Sequence, residues 1–514
     1  MTMSANGSKS GSDDVFPAPV FKETVLAPLF ETAKTHFVDA FRRVDRAHCV
    51  MLAETGILSA ADATAIALAL ADIETTLDLA STPYTGEVED LFFLIEAALK
   101  QRLGPDVAGR LHTGRSRNDI DHTVFKMVLK QRIDRLQQQA LALLDALIAT
   151  ADRNIGTIVL AYTHGQPAQP TTFGHYLAAY IEVIIGDIER LNAARKVVDQ
   201  CSMGAGAITT TGFPLNRLRM AELLGFAAIR QNSYGCIAAV DYVTAPYGAL
   251  KLMMLHLGRL VQDLQFWTAF EVGQLHVPDG FVQISSIMPQ KRNPVPIEHA
   301  RLLASQAAGR AEAALMIMHN TPFTDMNDAE GEVQAAAALA FHDAGRAIDL
   351  VAGLVCAVKV DGTRVRDNID RSCAVITELA DTLVRDEGLS FREAHEIAAV
   401  TAKAVVKAGS SLSAGGYAPF VAAFKHAAGR ASRMDAARFA TIVSPEHFVA
   451  VRTRPGGPAA APMRTALAGY RDALSGFEAA MAKASATETA QSEQLATAFA
   501  SLRDGVPSPR PSSS

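Results

Sequence analysis

The chain has 514 residues, with 48 Lys and Arg against 54 Asp and Glu, and a net charge of −6 at pH 7. The two signs are mixed along its length, which excludes a nucleic-acid or membrane-surface binder held by bulk charge. No run of about 18 uncharged apolar residues occurs, so no spanning helix is predicted, and the length suits about three domains.

Residues 1–14 are polar and have nothing to bury, so they are expected to be disordered and not a secretory signal. Residues 26–103 carry short helical patterns, clearest over 32–58, 59–79 and 89–103, with Ser59 as an N-cap. Beyond a Gly-containing loop at 112–119 the helical patterns lengthen to roughly 118–155, 169–200, 236–272, 297–319 and 328–359. In the second of these Leu177, Ile181, Ile184, Ile185, Ile188 and Leu191 share one face. Alternation of period two is almost absent, so sheets should be minor. The fold class expected is mainly α, built round a long helical bundle. Helices this long and apolar predict packing against further chains. After 361 the patterns shorten, with helices at 371–385, 391–408 and 466–499, and residues 500–514 are expected to be a disordered tail. The domain boundaries that follow are 15–117, 118–360 and 361–499.

The five cysteines, Cys49, Cys201, Cys236, Cys356 and Cys373, are scattered without a C-x-x-C pair, as expected of reduced thiols in the cytoplasm. No clustered His and Cys pattern suggests a metal site.

Four polar loops carry the chemistry. The first, His-Thr-Gly-Arg-Ser-Arg-Asn-Asp at 112–119, offers guanidinium groups suited to a carboxylate, although such a loop is also an ordinary basic turn. The second, 162–170, has His164 beside Thr163 and Gln166, where a lone His is more often structural. The third, 202–214, has Gly204, Gly206 and three threonines, a pattern that closes on an anion or forms a tight turn. The fourth, 284–298, reads Ile-Ser-Ser-Ile-Met-Pro-Gln-Lys-Arg-Asn-Pro-Val-Pro-Ile-Glu. Its three prolines disfavour a helix through 285–296 and leave Ser285, Ser286, Lys291 and Asn293 on a pinned loop before a helix. By composition it is a connector; the order of its residues says more.

Together these segments resemble the signature regions of the fumarase/aspartase superfamily, and the fourth fits its Ser-Ser-x-Met-Pro-x-Lys-x-Asn loop. Within it the chain is similar to argininosuccinate lyase, through 112–119, 162–164, 204–207 and 288–291, with further likeness at 379–395 and 444–457. The resemblance covers roughly 25–480. It implies a three-domain fold and a homotetramer whose active sites each draw loops from three subunits. It also implies elimination of an amine from an N-substituted aspartate to give fumarate, with no metal or organic cofactor.

By the same resemblance Ser285 is the base, with Ser286 as the neighbour it is most easily confused with. Lys291 and Asn293 face the developing carboxylate, and His164 is paired with Glu298 for proton relay. Ser116, Arg117, Asn118, Thr163, Ser286, Met288, Asn293, Asn327 and Glu330 are the expected substrate contacts. The partners implied are the substrate, fumarate, an amine and other copies of the chain.

The chain departs from the argininosuccinate lyase pattern on the leaving-group side. Segment 321–330 reads Thr-Pro-Phe-Thr-Asp-Met-Asn-Asp-Ala-Glu and loses a tyrosine; Asn327 stands for a glutamine and Glu330 for a lysine. Ala239-Val-Asp-Tyr242 stands for Asp-Arg-Asp-Phe, Gly165 for a leucine and Ile120 for a glutamine. These departures lead to the expectation of another N-substituted aspartate, an aminopolycarboxylate such as ethylenediamine-disuccinate. Argininosuccinate itself is the alternative. An inactive crystallin-like protein, a carboxylate-binding module without turnover, a cycloisomerase and an adenylosuccinate lyase are less well matched.

Overall fold

A computed structural model describes residues 15–506. The tail expected at 1–14 lies outside the described residues, as do 507–514; residues 500–503 belong to the last helix rather than to a tail.

The N-terminal part consists mainly of α1 (Ala27–His36), α2 (Val38–Glu54), α3 (Ala60–Thr76) and α4 (Leu91–Arg110). The single helix expected over 32–58 is interrupted at Phe37, whose φ of −122° and ψ of −9° leave helical geometry. Ser59 caps α3 through its hydroxyl, as its position predicts. In α4 the Gly104-Pro105 pair breaks the regular path, because Gly104 adopts φ +76°.

Five long helices follow: α5 (Arg117–Arg153), α6 (Phe173–Val198), α7 (Asp241–Thr268), α8 (Val295–Met318) and α9 (Gly331–Ala357). They form a ring in the order α5, α6, α7, α8, α9, with α9 closing back on α5. Alanine makes this ring tight. Ala300, Ala304, Ala307, Ala311 and Ala314 of α8 are buried, as are Ala337, Ala340, Ala344 and Ala347 of α9. A seam of methyl groups lets helix backbones approach closely while still removing apolar surface from water.

The chain direction alternates round the ring, except that α9 and α5 run parallel. Arg132 bonds Gln334 O, and Gln139 bonds Asp349 further along both helices. Tyr176 near the start of α6 bonds Asp263 near the end of α7. Lys251 of α7 pairs with Glu312 of α8. The bundle therefore has two distinct ends.

A hairpin, β1 (Ile158–Thr163) and β2 (Gln166–Thr172), joins α5 to α6. Its last residues, 169–172, take the place of the expected start of α6, and the rest runs through the polar loop at 162–170. Past the bundle come α10 (Gly362–Ser372), α11 (Ile376–Glu387), α12 (Phe391–Lys407) and α13 (Tyr417–Ala428). These surround a second core that includes Leu379, Leu383, Phe420, Phe424 and Phe448 and takes in Leu160 of β1. The helix expected at 371–385 is split because Cys373 takes a left-handed φ of +52°. The last helix, α14 (Ala460–Arg503), returns to the first core through Met463, Leu467 and Phe499.

Candidate active site

The polar loops sort themselves onto the two ends of the bundle. At the end where α5 begins lie loop 112–119, loop 202–214 and segment 321–330. Ser116 is the N-cap of α5 and forms a capping box with Asp119. Gly204 and Gly206 adopt φ of +84° and +59°. Both direct their N–H groups to Oδ2 of Asp119, at 2.9 Å each, while Ser116 N–H donates to Oδ1 at 2.9 Å. The Gly-rich loop does close on an anion, and that anion is a side chain of its own chain. Burial pushes the Asp119 carboxyl up to about 6, against the three N–H donors and Arg115, which favour its ionised form.

Two expected substrate ligands stand beside it. Arg117 ion-pairs with Glu89 at 2.6 Å and Asp90 at 3.1 Å and lies over the Phe93 ring. Asn118 Nδ2 donates to Asp325 Oδ2 at 2.8 Å and to Ala207 O at 3.1 Å. Asn327 lies in a 3-10 turn and Glu330 directly precedes α9. Burial raises the carboxyls of Asp90, Asp121 and Glu330, and their neighbours reinforce this: Glu89 acts on Asp90, Glu330 on Asp121, and Asp325 on Glu330. Several carboxylates thus crowd one guanidinium. Asp119, Asp121 and Asp325 were not singled out from sequence. Asp119 was visible as the last residue of its loop motif, but the other two carried no recognisable spacing.

The opposite end of the bundle carries the second and fourth loops. His164 and Gly165 form the two-residue tip of the hairpin, with Thr163 opposite Gln166. Their φ values of +54° and +72° are those of a type I′ turn. That geometry explains the glycine standing for leucine at 165, since the second turn position requires positive φ. Thr163 and His164 are exposed.

The fourth loop is pinned at its base by a short pairing of Gln283–Ile284 with Arg292–Asn293 and by an ion pair between Arg292 and Asp279. Just past this pairing stands Ser285, whose Oγ accepts backbone N–H groups from Met288 at 3.1 Å and Ile287 at 3.4 Å. Donors aimed at this oxygen favour its anionic form. Ser286, Met288 and Lys291 are exposed, and Asn293 is half-buried. Ile284 at the base and Ile287 further out are 78% and 83% exposed, an uncovered apolar surface on the loop. α8 starts at Val295, two residues before its expected start, with Pro296 tolerated in the first turn. Glu298 stands exposed in that turn, and among the described residues no ion pair joins it to His164 within the chain.

Two matching family profiles span most of the folded chain. Residues 35–309 match the family described as Lyase, and residues 373–450 match Argininosuccinate lyase C-terminal. Argininosuccinate lyase 2 of Agrobacterium fabrum is 63% identical over 487 residues, which is 95% of this chain and 97% of the relative. The chain belongs to the argininosuccinate lyase family. Another relative, argininosuccinate lyase of Methanocaldococcus jannaschii, is 35% identical over 69% of this chain and 72% of its own. Among solved structures, EDDS lyase in complex with formate superposes with a TM-score of 0.83 at 28% identity, over 93% of this chain and 96% of that one. A class II fumarase from Schistosoma mansoni, at 15% identity and a TM-score of 0.64 over 83% and 92% of the two chains, shares the fold. The family places this chain among the fumarate-producing carbon–nitrogen lyases of the fumarase/aspartase superfamily. Among its described residues no helix is long and apolar enough to cross a membrane.

Proposed function

We propose that the protein is an argininosuccinate lyase, eliminating arginine from argininosuccinate to release fumarate. The observation that carries this reading is the 63% identity to argininosuccinate lyase 2 across nearly the whole of both chains. It reverses the preference that segment 321–330 suggests when read alone. The electrostatics agree with it: Glu89, Asp90, Asp121 and Glu330 lie round Arg117, with Asp325 acting on Asp121 and Glu330, and a guanidinium product relieves repulsion among them. A leaving group bearing further carboxylates adds to that repulsion.

In this mechanism Ser285, as alkoxide, removes the Cβ proton next to the substrate carboxylate. The electron pair forms the carbon–carbon double bond, the C–N bond breaks, and the departing nitrogen takes a proton. Lys291 and Asn293 hold the carboxylate as it becomes dianionic, the charge that makes the barrier high. Closure of 284–293 over substrate excludes water and makes the serine a stronger base. His164, with Glu298 set in the first turn of α8, relays the proton.

Helix length supports an assembly of several copies. α8 has 24 residues, so the two groups of loops stand about 35 Å apart at ~1.5 Å rise per residue. One chain does not bring Ser285 to Arg117 and Asn118. A homotetramer in which the ends of different bundles come together would.

The test follows fumarate by its ultraviolet absorbance, with argininosuccinate and a panel of N-substituted aspartates. Argininosuccinate should be converted fastest. The second reading, an aminopolycarboxylate substrate, draws on the altered 321–330 segment and the likeness to EDDS lyase. Faster release of fumarate from ethylenediamine-disuccinate would establish it instead.

A further inference from the structure

Asp325 sits in the segment that departs from the argininosuccinate lyase pattern, and its two carboxylate oxygens have different surroundings. Oδ2 accepts from Asn118 Nδ2. Oδ1 is shielded from solvent and accepts no hydrogen bond. It faces His122 Nε2 at 3.8 Å, beyond hydrogen-bond length.

Behind His122 runs a buried relay whose polarity is set by its members. Gln334 Nε2, which only donates, lies 3.5 Å from the Tyr242 hydroxyl and also donates to Ala329 O at 3.3 Å. Tyr242 therefore accepts from Gln334 and has one proton left to give. It gives it to His122 Nδ1 at 3.0 Å. A neutral imidazole that accepts at Nδ1 carries its proton on Nε2, directed at Asp325. Gln334, Tyr242 and His122 are 1%, 0% and 2% exposed, so the relay is built into the core. The hydroxyl that carries it is what Tyr242 has beyond the phenylalanine of the family pattern.

We infer that Asp325, held through Oδ1 by the Gln334–Tyr242–His122 relay, is the residue that selects the leaving amine, taking a cationic N–H of that amine on Oδ2 beside Asn118. Asp325 touches the amine; His122 and Tyr242 are positioning residues acting through it. With Oδ1 turned to the core, the partly exposed carboxylate presents Oδ2, which has a lone pair beyond the one Asn118 uses and gains most from a charged N–H partner. Glu330 and Asp121 beside it favour the same sign of charge. The inference deepens the proposed function and rests on its cationic amine product.

The reverse reaction separates the two halves of the site, because arginine and fumarate each have their own KM. Asp325→Asn keeps the shape and the bond from Asn118 but loses the charge. It should raise the KM for arginine about tenfold, as expected for one charge-assisted hydrogen bond, with the KM for fumarate changed less than about twofold. Tyr242→Phe should raise the same KM by a smaller factor. The double variant should be no worse than Asp325→Asn alone, since both act through one carboxylate. Equal rises in both KM values, or an arginine KM unchanged in Asp325→Asn, overturn the inference. So does full additivity of the two substitutions, which marks Tyr242 as merely structural. Wild-type enzyme that prefers another amine overturns the argininosuccinate reading instead, and the same pair of KM values measured with that amine then tests Asp325.

Discussion

Ser285 carries the clearest local preparation for chemistry, two backbone N–H groups directed at its oxygen. Replacing it with alanine should lower kcat at least about a hundredfold, the low end for a general base, with little change in KM. Ser286→Ala should have a much smaller effect, and steady-state kinetics of the two variants decide which serine is the base. Asp119 makes a different kind of prediction. Its carboxyl is raised to about 6 in the folded chain, whereas an unfolded aspartate titrates near its ordinary value. The folded state therefore holds a proton that the unfolded state gives up between those two values. Stability from this group is present below pH 4 and is lost as pH rises through 6, by roughly 3 kcal/mol. Asp119→Asn does not titrate, so its stability relative to wild type should improve from pH 4 to pH 7. Urea unfolding of both proteins across that range measures it.

At the scale of elements, backbone contacts limit substitution as firmly as the chemistry does. A Cβ at Gly174, in the first turn of α6, would stand 2.5 Å from the Ala151 carbonyl oxygen at the end of α5. Both are backbone positions in packed helices, so Gly174→Ala should cost about 1–3 kcal/mol, read from urea unfolding. The same scale shows what a sequence makes legible. The five bundle helices were legible because their apolar residues recur at helical spacing over more than twenty positions, and their ends are right to within a few residues. The hairpin was not: Pro167 and Pro170 remove the donors that usually advertise a strand, and a two-residue turn at His164 and Gly165 leaves little local signal. The four polar loops were legible as ordered motifs, each meaning little alone. Asp325 and the His122–Tyr242 pair were not, because they meet across 120 and more residues through side chains on separate elements.

For the molecule as a whole, the placement of loops on opposite ends predicts how inactive variants behave together. Ser285→Ala damages one end of the bundle and Asn118→Ala the other. Each alone should be inactive or nearly so. Unfolding the two together and refolding the mixture should restore activity, because some sites then draw an intact loop from each kind of chain. Mixtures of two variants damaged at the same end should stay inactive. An activity assay after co-refolding, with the unmixed variants as controls, makes the comparison.

The alanine seam between α8 and α9 makes the bundle a ruler as well as a core. Small side chains hold the helices at close, even spacing, so the distance between the two ends is graduated in helical turns. Adding one heptad to each of the five helices keeps every apolar face in nearly the same direction, yet lengthens the rod by about 10 Å. Such a protein should fold and lose its activity, since loops contributed by different copies would no longer meet at one level. The helix lengths are then calibrated quantities, and insertions are tolerated at the loop bases and C-terminal helices far better than along the rod.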